Sequence, residues 1–294
     1  MKRKVVSQGP SSMMVSLPIK WVKEFGIKKG DEVDILQEGR ELIVSSEKRK
    51  VGGVIEINLE SSDGLYVFRH LQAAYVAGYD EIKFNYSDSK VANTIQESIM
   101  KFLIGVELVS QDEKSCVVKS ITSGKIEEFD ILMKRIFQGI LQMSEILYSF
   151  LKGEGDLDMI QGLEIINNRQ VLHLQRIISQ GKRGGQFLYS ILLLLEKVAN
   201  EYKYIFYDKQ KRKKKSDNIL KYYSRLHKQI ENIYDVFVNY NSKKISKIVL
   251  EDIRTEEFKV LFKEDAALTY SFMTITDLLR SLLVQLIHLE FVGK

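Results

Sequence analysis

The chain has 294 residues, 45% of them apolar, with 44 basic against 39 acidic side chains and a net charge of +5. This composition excludes a disordered, highly charged tail, and the length suffices for about two domains that bury roughly three quarters of their unfolded surface. A lone cysteine, Cys116, rules out an internal disulfide, and with no CxxC motif or Cys/His cluster the usage points to a reducing, cytoplasmic setting. The basic start has no apolar stretch behind it, and the longest apolar run, Ile191 to Leu195, falls far short of the roughly 18 residues a bilayer crossing needs, so neither export nor membrane insertion is expected.

The first 50 residues read as short strands and turns. Lys2 to Ser7 and Met13 to Leu17 alternate at strand period, Ile19 to Phe25 forms two helical turns stopped by Gly26, and Gly30-Asp31 turns the chain into Glu32 to Leu36. Glu38-Gly39 then leads back through Glu41 to Val44. So small a set of apolar side chains cannot close a core alone, which implies a partner. The segment holds 11 Lys+Arg against 7 Asp+Glu, most of the net charge, and such concentration suits nucleic-acid phosphates.

The string VSLPIKWVKEFGIKKGDEVDILQEGRELIV, Val15 to Val44, resembles the AbrB/SpoVT/MazE swapped-hairpin DNA-binding module. The matching features are the strand ending in Leu17-Pro18, the short helix, Gly26-Ile27, Gly30-Asp31-Glu32-Val33 and the closing hairpin. The resemblance implies a barrel made by two chains exchanging hairpins, hence a homodimer through residues 1–46 that binds DNA. Arg3, Lys4, Gln8, Ser11 and Ser12 on the first strand and loop, with Lys20 and Lys23 on the helix, are then the DNA-contacting residues. Lysines stand where many relatives carry arginines, and lysine neutralises phosphate without the two-pronged fork that reads guanine. Trp21 reads as an apolar anchor of this small module.

Both prolines, Pro10 and Pro18, lie in these first residues, and the proline-free remainder permits long helices. Residues 51–121 read β-α-β-α-β-β, a small α/β domain: Ile55, Ile57 and Leu59 alternate, as do Ile82, Phe84 and Tyr86. Between them Asp63 caps a helix that Gly78 ends, and a second helix runs from about Ser89 to Leu103 before a hairpin through Val106–Val109 and Cys116–Ile121. No phosphate-cradling glycine loop follows any strand.

From residue 124 onward the period becomes helical. Stripes run through Leu132, Ile136, Ile140, Met143, Leu147 and Leu151; through Phe187, Ile191, Leu194, Val198, Tyr202 and Ile205; through Tyr223, Leu226, Ile230, Ile233 and Phe237; and from Leu268 to Leu289. Breaks fall at Gly153–Asp156, Gly181–Gly185 and Lys209–Asp217, so 124–294 reads as an antiparallel bundle. Leu195-Glu196-Lys197-Val198-Ala199-Asn200 is similar to the "LERIGD" helix of PhoU-type phosphate-signalling proteins, and Glu164 to Arg176 resembles the "ExxxDR" helix before it. The resemblance implies a PhoU-like bundle of two three-helix repeats. A swapped-hairpin module, a small α/β domain and such a bundle, in that order, look like archaeal phosphate-uptake regulators.

The same resemblance implies metal ligation by side chains four residues apart on facing helices: Glu164, Asn168, Glu196, Asn200, Glu251 and Asp277. Asparagine stands at 168 and 200 where that family often has aspartate, which weakens attraction for a hard cation, so no cofactor is expected beyond a weakly held divalent or iron ion. The basic run Lys209–Lys215 reads as a solvated loop, and His70, His173, His227 and His288 as structural, since none has a paired Cys, Asp or Ser at catalytic spacing. With no nucleophile, base and oxyanion site together, the expected class is a multidomain α+β regulator of phosphate uptake and not an enzyme. A PhoU-like adaptor docking on a phosphate transporter or signalling partner, or a metal-binding protein, are the alternatives.

Overall fold

A computed structural model describes residues 2–9, 12–38, 41–45, 52–122, 129–155, 157–181, 185–207, 215–250 and 255–292. The chain divides into two units, Met1–Val51 and Gly52–Lys294.

In the first unit β1 (Val5–Ser7) pairs antiparallel with β2 (Met13–Val15), and β3 (Asp34–Glu38) with β4 (Glu41–Ser45), as two separate hairpins. Between them α1 (Ile19–Glu24) starts after Pro18, whose fixed φ suits a helix entrance, and the Asp31 carboxylate accepts from the Lys28 N–H at 2.7 Å to shape the following turn. Among the residues of this unit whose side chains are described none is buried. Val5, Val6, Met13, Met14, Val15, Ile19, Phe25, Ile35 and Leu42 all stand in solvent, Met13 at 73% of its surface. Within this unit the β1–β2 hairpin leaves the apolar side chains of both its strands exposed.

The second unit opens with a four-stranded sheet in the order β5-β6-β8-β7, from β5 (Val54–Asn58), β6 (Glu81–Asn85), β7 (Val106–Gln111) and β8 (Ser115–Ser120). The β5–β6 pair is parallel, joined through α2 (Gly64–Ala77), and the other pairs are antiparallel, β6 being followed by α3 (Lys90–Phe102). Alternation sends Ile82, Phe84, Cys116 and Val118 into a core under α2 and α3, leaving Glu56, Lys83 and Lys119 on the other side. The Asp63 carboxylate caps α2 by accepting from the Tyr66 N–H at 2.9 Å, and Gly78 ends it at φ 97°, in the left-handed region. Burial pushes the Cys116 thiol up to about 11, so it stays protonated in this core.

The remaining helices are α4 (Phe129–Lys152), α5 (Asp158–Ser179), α6 (Gln186–Tyr207), α7 (Asp217–Val238), α8 (Ser242–Leu250), α9 (Thr255–Glu264) and α10 (Ala266–Val292). Short connections turn α4, α5 and α6 back on one another, α7 lies along α4, and α10 packs on α6 and α7. The apolar stripes meet in one core, where Phe272 stacks between Tyr222 and Tyr223 with ring centroids 5.6 and 5.1 Å away. Among the described residues α10 is the helix long and apolar enough to cross a membrane, by length and composition; here Phe272, Ile275, Leu279 and Leu282 are buried in the bundle.

The segments read separately as 51–121 and 124–294 share this one unit, because α5 packs against both α2 and α3. Leu172 of α5 completes the core beneath the sheet, while Val171 and Leu174 belong to the bundle core. Arg176, its side chain 5% exposed, donates to the Tyr75 carbonyl at 2.7 Å and to Asp80 Oδ1 at 3.3 Å, and stacks over the Tyr75 ring. The Tyr75 hydroxyl donates to the Ile104 carbonyl at 2.9 Å and lies 3.1 Å from His173 Nδ1. Gln180 donates to the Gly78 carbonyl at 3.3 Å; a Cβ at Gly78 would sit 2.9 Å from the Gln180 side chain. Replacing Arg176 with Met keeps the stem but leaves the Tyr75 carbonyl and Asp80 without their charged donor. We expect a loss of about 2 kcal/mol, seen as a lower urea midpoint with unchanged slope; an unaltered midpoint would show the interaction to be dispensable.

Candidate functional site

On the first unit, Arg3 and Lys4 precede β1, Gln8 and Ser12 face each other at the tip of the β1–β2 hairpin, and Lys20 and Lys23 stand three residues apart on one face of α1. The tip is closed by the Gln8 N–H donating to the Ser12 carbonyl at 2.9 Å and by the Ser12 hydroxyl donating to the Gln8 carbonyl. All six side chains are exposed. Ser11 lies outside the described residues. Trp21 is half-buried against Phe25, ring centroids 5.8 Å apart, which keeps the short helix attached to its own C-terminal turn.

On the second unit, α5 and α6 bring Glu164 and Asn168 together with Glu196 and Asn200 around a cavity of about 270 Å³. Glu164 is buried, and its Oε1 accepts from the Asn168 amide at 2.7 Å and from the Lys203 ammonium at 2.6 Å. Lys203 also donates to Asn200 Oδ1 at 3.0 Å. Burial raises the Glu196 carboxyl above its ordinary range, Arg69 of α2 opposes that rise, and Glu164 adds to it. The far wall comes from α2 and α3, with Arg69, Gln72, Lys101, Phe68 and Phe102.

This arrangement does not fit a metal ion. The Glu164 oxygen that an ion would take already receives two N–H donors, and an ammonium stands where the ion's charge would be. Asp277 of α10, 69% exposed, pairs with Arg280 at 2.8 Å and takes no part in the cavity. Glu251 lies outside the described residues, and among those described no three His, Cys, Asp or Glu side chains gather. Of the six residues expected from the resemblance, the structure brings Glu164, Asn168, Glu196 and Asn200 together around Lys203. Lys203, Arg69 and Lys101 were missed; Lys203 carries a local signal, three residues beyond Asn200 on the same helical face, whereas Arg69 and Lys101 come from a distant stretch of sequence.

The histidines sit in internal contacts. His70 Nδ1 lies 2.9 Å from the Tyr66 carbonyl, and His288 packs on Phe187. His227 Nδ1 lies 2.8 Å from the Ser144 hydroxyl and its Nε2 3.7 Å from Glu231, a serine-histidine-carboxylate line. Ser144 is wholly buried, its hydroxyl 3.0 Å from that of Tyr223, which in turn donates to Tyr202 at 3.3 Å; this network joins α4, α6 and α7 with no opening for a substrate at Ser144. Of the basic run, Lys209–Lys214 lie outside the described residues. Its last member, Lys215, is not solvated as expected but donates to Asp265 at 2.6 Å, tying the start of α7 to that of α10.

Residues 6–52 match the family model described as antidote-toxin recognition MazE, bacterial antitoxin. No curated protein and no solved structure matches the chain. The first unit is thus similar to MazE/AbrB-like domains, and the likeness ends where the second unit begins.

Proposed function

We propose that this chain is a DNA-binding regulator that works as a homodimer. The observation that carries the reading is the first unit's set of exposed apolar side chains: Val5, Val6, Met13, Met14, Val15, Ile35 and Leu42 need a cover, and a second copy supplies a self-complementary one. Hairpins from two chains would close the shared barrel that the resemblance implies. Pairing doubles the Arg3, Lys4, Gln8, Ser12, Lys20 and Lys23 set, with Ser11 beside it, and the doubled basic surface suits a duplex. Lysines in this set act on phosphate, and Arg3 is the better reader of a guanine edge.

The second unit is read as the part that receives a signal or a partner. Its likeness to PhoU-type helices at Glu164–Arg176 and Leu195–Asn200 favours phosphate uptake as the regulated process. The second unit's packed core and its buried Ser144 favour binding over catalysis. A MazE-like unit that recognises a toxin protein, or an adaptor docking on a phosphate transporter, would retain the dimer and lose the DNA.

Light scattering distinguishes where the dimer forms: the full chain is expected to be dimeric and the 52–294 fragment monomeric. An equally tight dimer of the fragment would remove the support for hairpin exchange. Salt titration of DNA binding is the second test. Lys20→Ala with Lys23→Ala should weaken binding to all sequences alike and lower the salt slope by about one unit for each phosphate no longer neutralised. Arg3→Ala should instead cost about 1–3 kcal/mol of discrimination between the mapped operator and scrambled DNA. Failure of the wild type to bind either DNA at low salt would reject the regulator and leave the adaptor.

A further inference from the structure

The cavity between α2–α3 and α5–α6 has charges that a metal does not explain and that a simple anion or cation would not satisfy. Three bases, Arg69, Lys101 and Lys203, and two carboxylates, Glu164 and Glu196, border it. Lys203 is held by Glu164 and Asn200, so these cancel within the floor. What remains for a ligand is a carboxylate at Glu196 on one side and the cations Arg69 and Lys101 on the other. A dianion would meet the Glu196 carboxylate, and a bare cation would meet Arg69 and Lys101. A neutral molecule with separated charges meets neither penalty.

Hydrogen bonding points the same way. Asn168, one of the lining residues, spends its amide N–H on Glu164, and its Oδ1 is enclosed without a partner. An enclosed acceptor without a donor is unfavourable. Arg69 holds Gln72 through one terminal nitrogen at 2.8 Å and has further N–H donors in its fork. The walls supply apolar surface: Phe68 and Phe102, with ring centroids 4.8 Å apart, oppose Ile165 and the buried Leu172.

We propose that this cavity binds a free α-amino acid with a large apolar side chain. The ammonium donates to Glu196, the carboxylate accepts from Arg69 with Lys101 alongside, and the side chain lies on Phe68 and Phe102. A volume of about 270 Å³ is large enough for such a molecule. Both halves of the second unit contribute, the cations from α2 and α3 and the Glu196 acceptor from α6, so occupancy draws these layers together. The inference stands apart from DNA binding.

Thermal-shift and calorimetric titrations of the full chain test it, with L-phenylalanine, L-leucine and L-methionine as probes. N-acetyl-L-phenylalanine lacks the ammonium, L-phenylalaninamide lacks the carboxylate, and glycine and inorganic phosphate serve as further comparisons. We expect at least one of the large amino acids to raise the melting temperature in a saturable way, with each blocked derivative and glycine weaker by about tenfold or more. Arg69→Ala and Glu196→Gln should each weaken that binding by a similar factor. Should either variant fold poorly, Lys101→Ala, on an exposed side chain, should weaken it too. The proposal is overturned if no large amino acid binds, if blocked derivatives or phosphate bind as well as the parent, or if binding survives these substitutions unchanged.

Discussion

Arg176 sits where the last turn of α2 meets α5, and its guanidinium reaches the Tyr75 carbonyl near a helix C-terminus, where the backbone dipole favours positive charge. Burial works against the charge and pulls its pKa down, while Asp80 and the face of Tyr75 compensate. The Tyr75 hydroxyl, pushed up to about 12 by the same burial, stays protonated and can donate to the Ile104 carbonyl just past α3. Through these two side chains the ends of α2 and α3 are anchored to one stretch of α5. The cavity that Arg69 and Lys101 share with Glu196 exists only because that anchoring holds the two layers at a set spacing.

The two units follow opposite physical rules. The second collects its apolar stripes into cores that its own helices and sheet close, with polar groups such as Ser144 and Tyr223 paired inside. In the first, β1 and β2 have water on both faces. Isolated two-stranded hairpins are marginal in water. In the dimer proposed above, folding of the first unit and assembly would be one event, dependent on concentration, whereas the second unit carries its own two cores.

Local features of the fold were legible in the sequence because they depend on neighbours within a few residues. Asp63 and Gly78 marked the ends of α2, alternation at Ile82 and Phe84 marked a strand, and the stripe from Leu268 to Leu289 marked α10. Periodicity says which face of a helix is apolar but not what covers it. Nothing in the run from Asp158 to Ser179 revealed that α5 serves two cores, and Asp277 fell in the right helix on a face turned to solvent. At the cavity, the Glu164/Asn168 and Glu196/Asn200 pairs were singled out through the resemblance to PhoU-type helices. The meaning of those pairs was not legible, because it depends on Lys203 and on cations about a hundred positions earlier in the chain.

From Val171 to Ile177 seven successive residues of α5 are buried, so this stretch has no outward face at all. An ordinary amphipathic helix can accept changes along its wet side with little effect on stability. Here every position touches either the sheet layer or the bundle, and His173, Gln175 and Arg176 are enclosed as polar groups rather than left at a rim. The surrounding helices are free to vary over half their circumference while this turn is not. Laboratory diversification of the protein therefore has a natural map, with tolerance rising outward from two turns in the C-terminal half of α5.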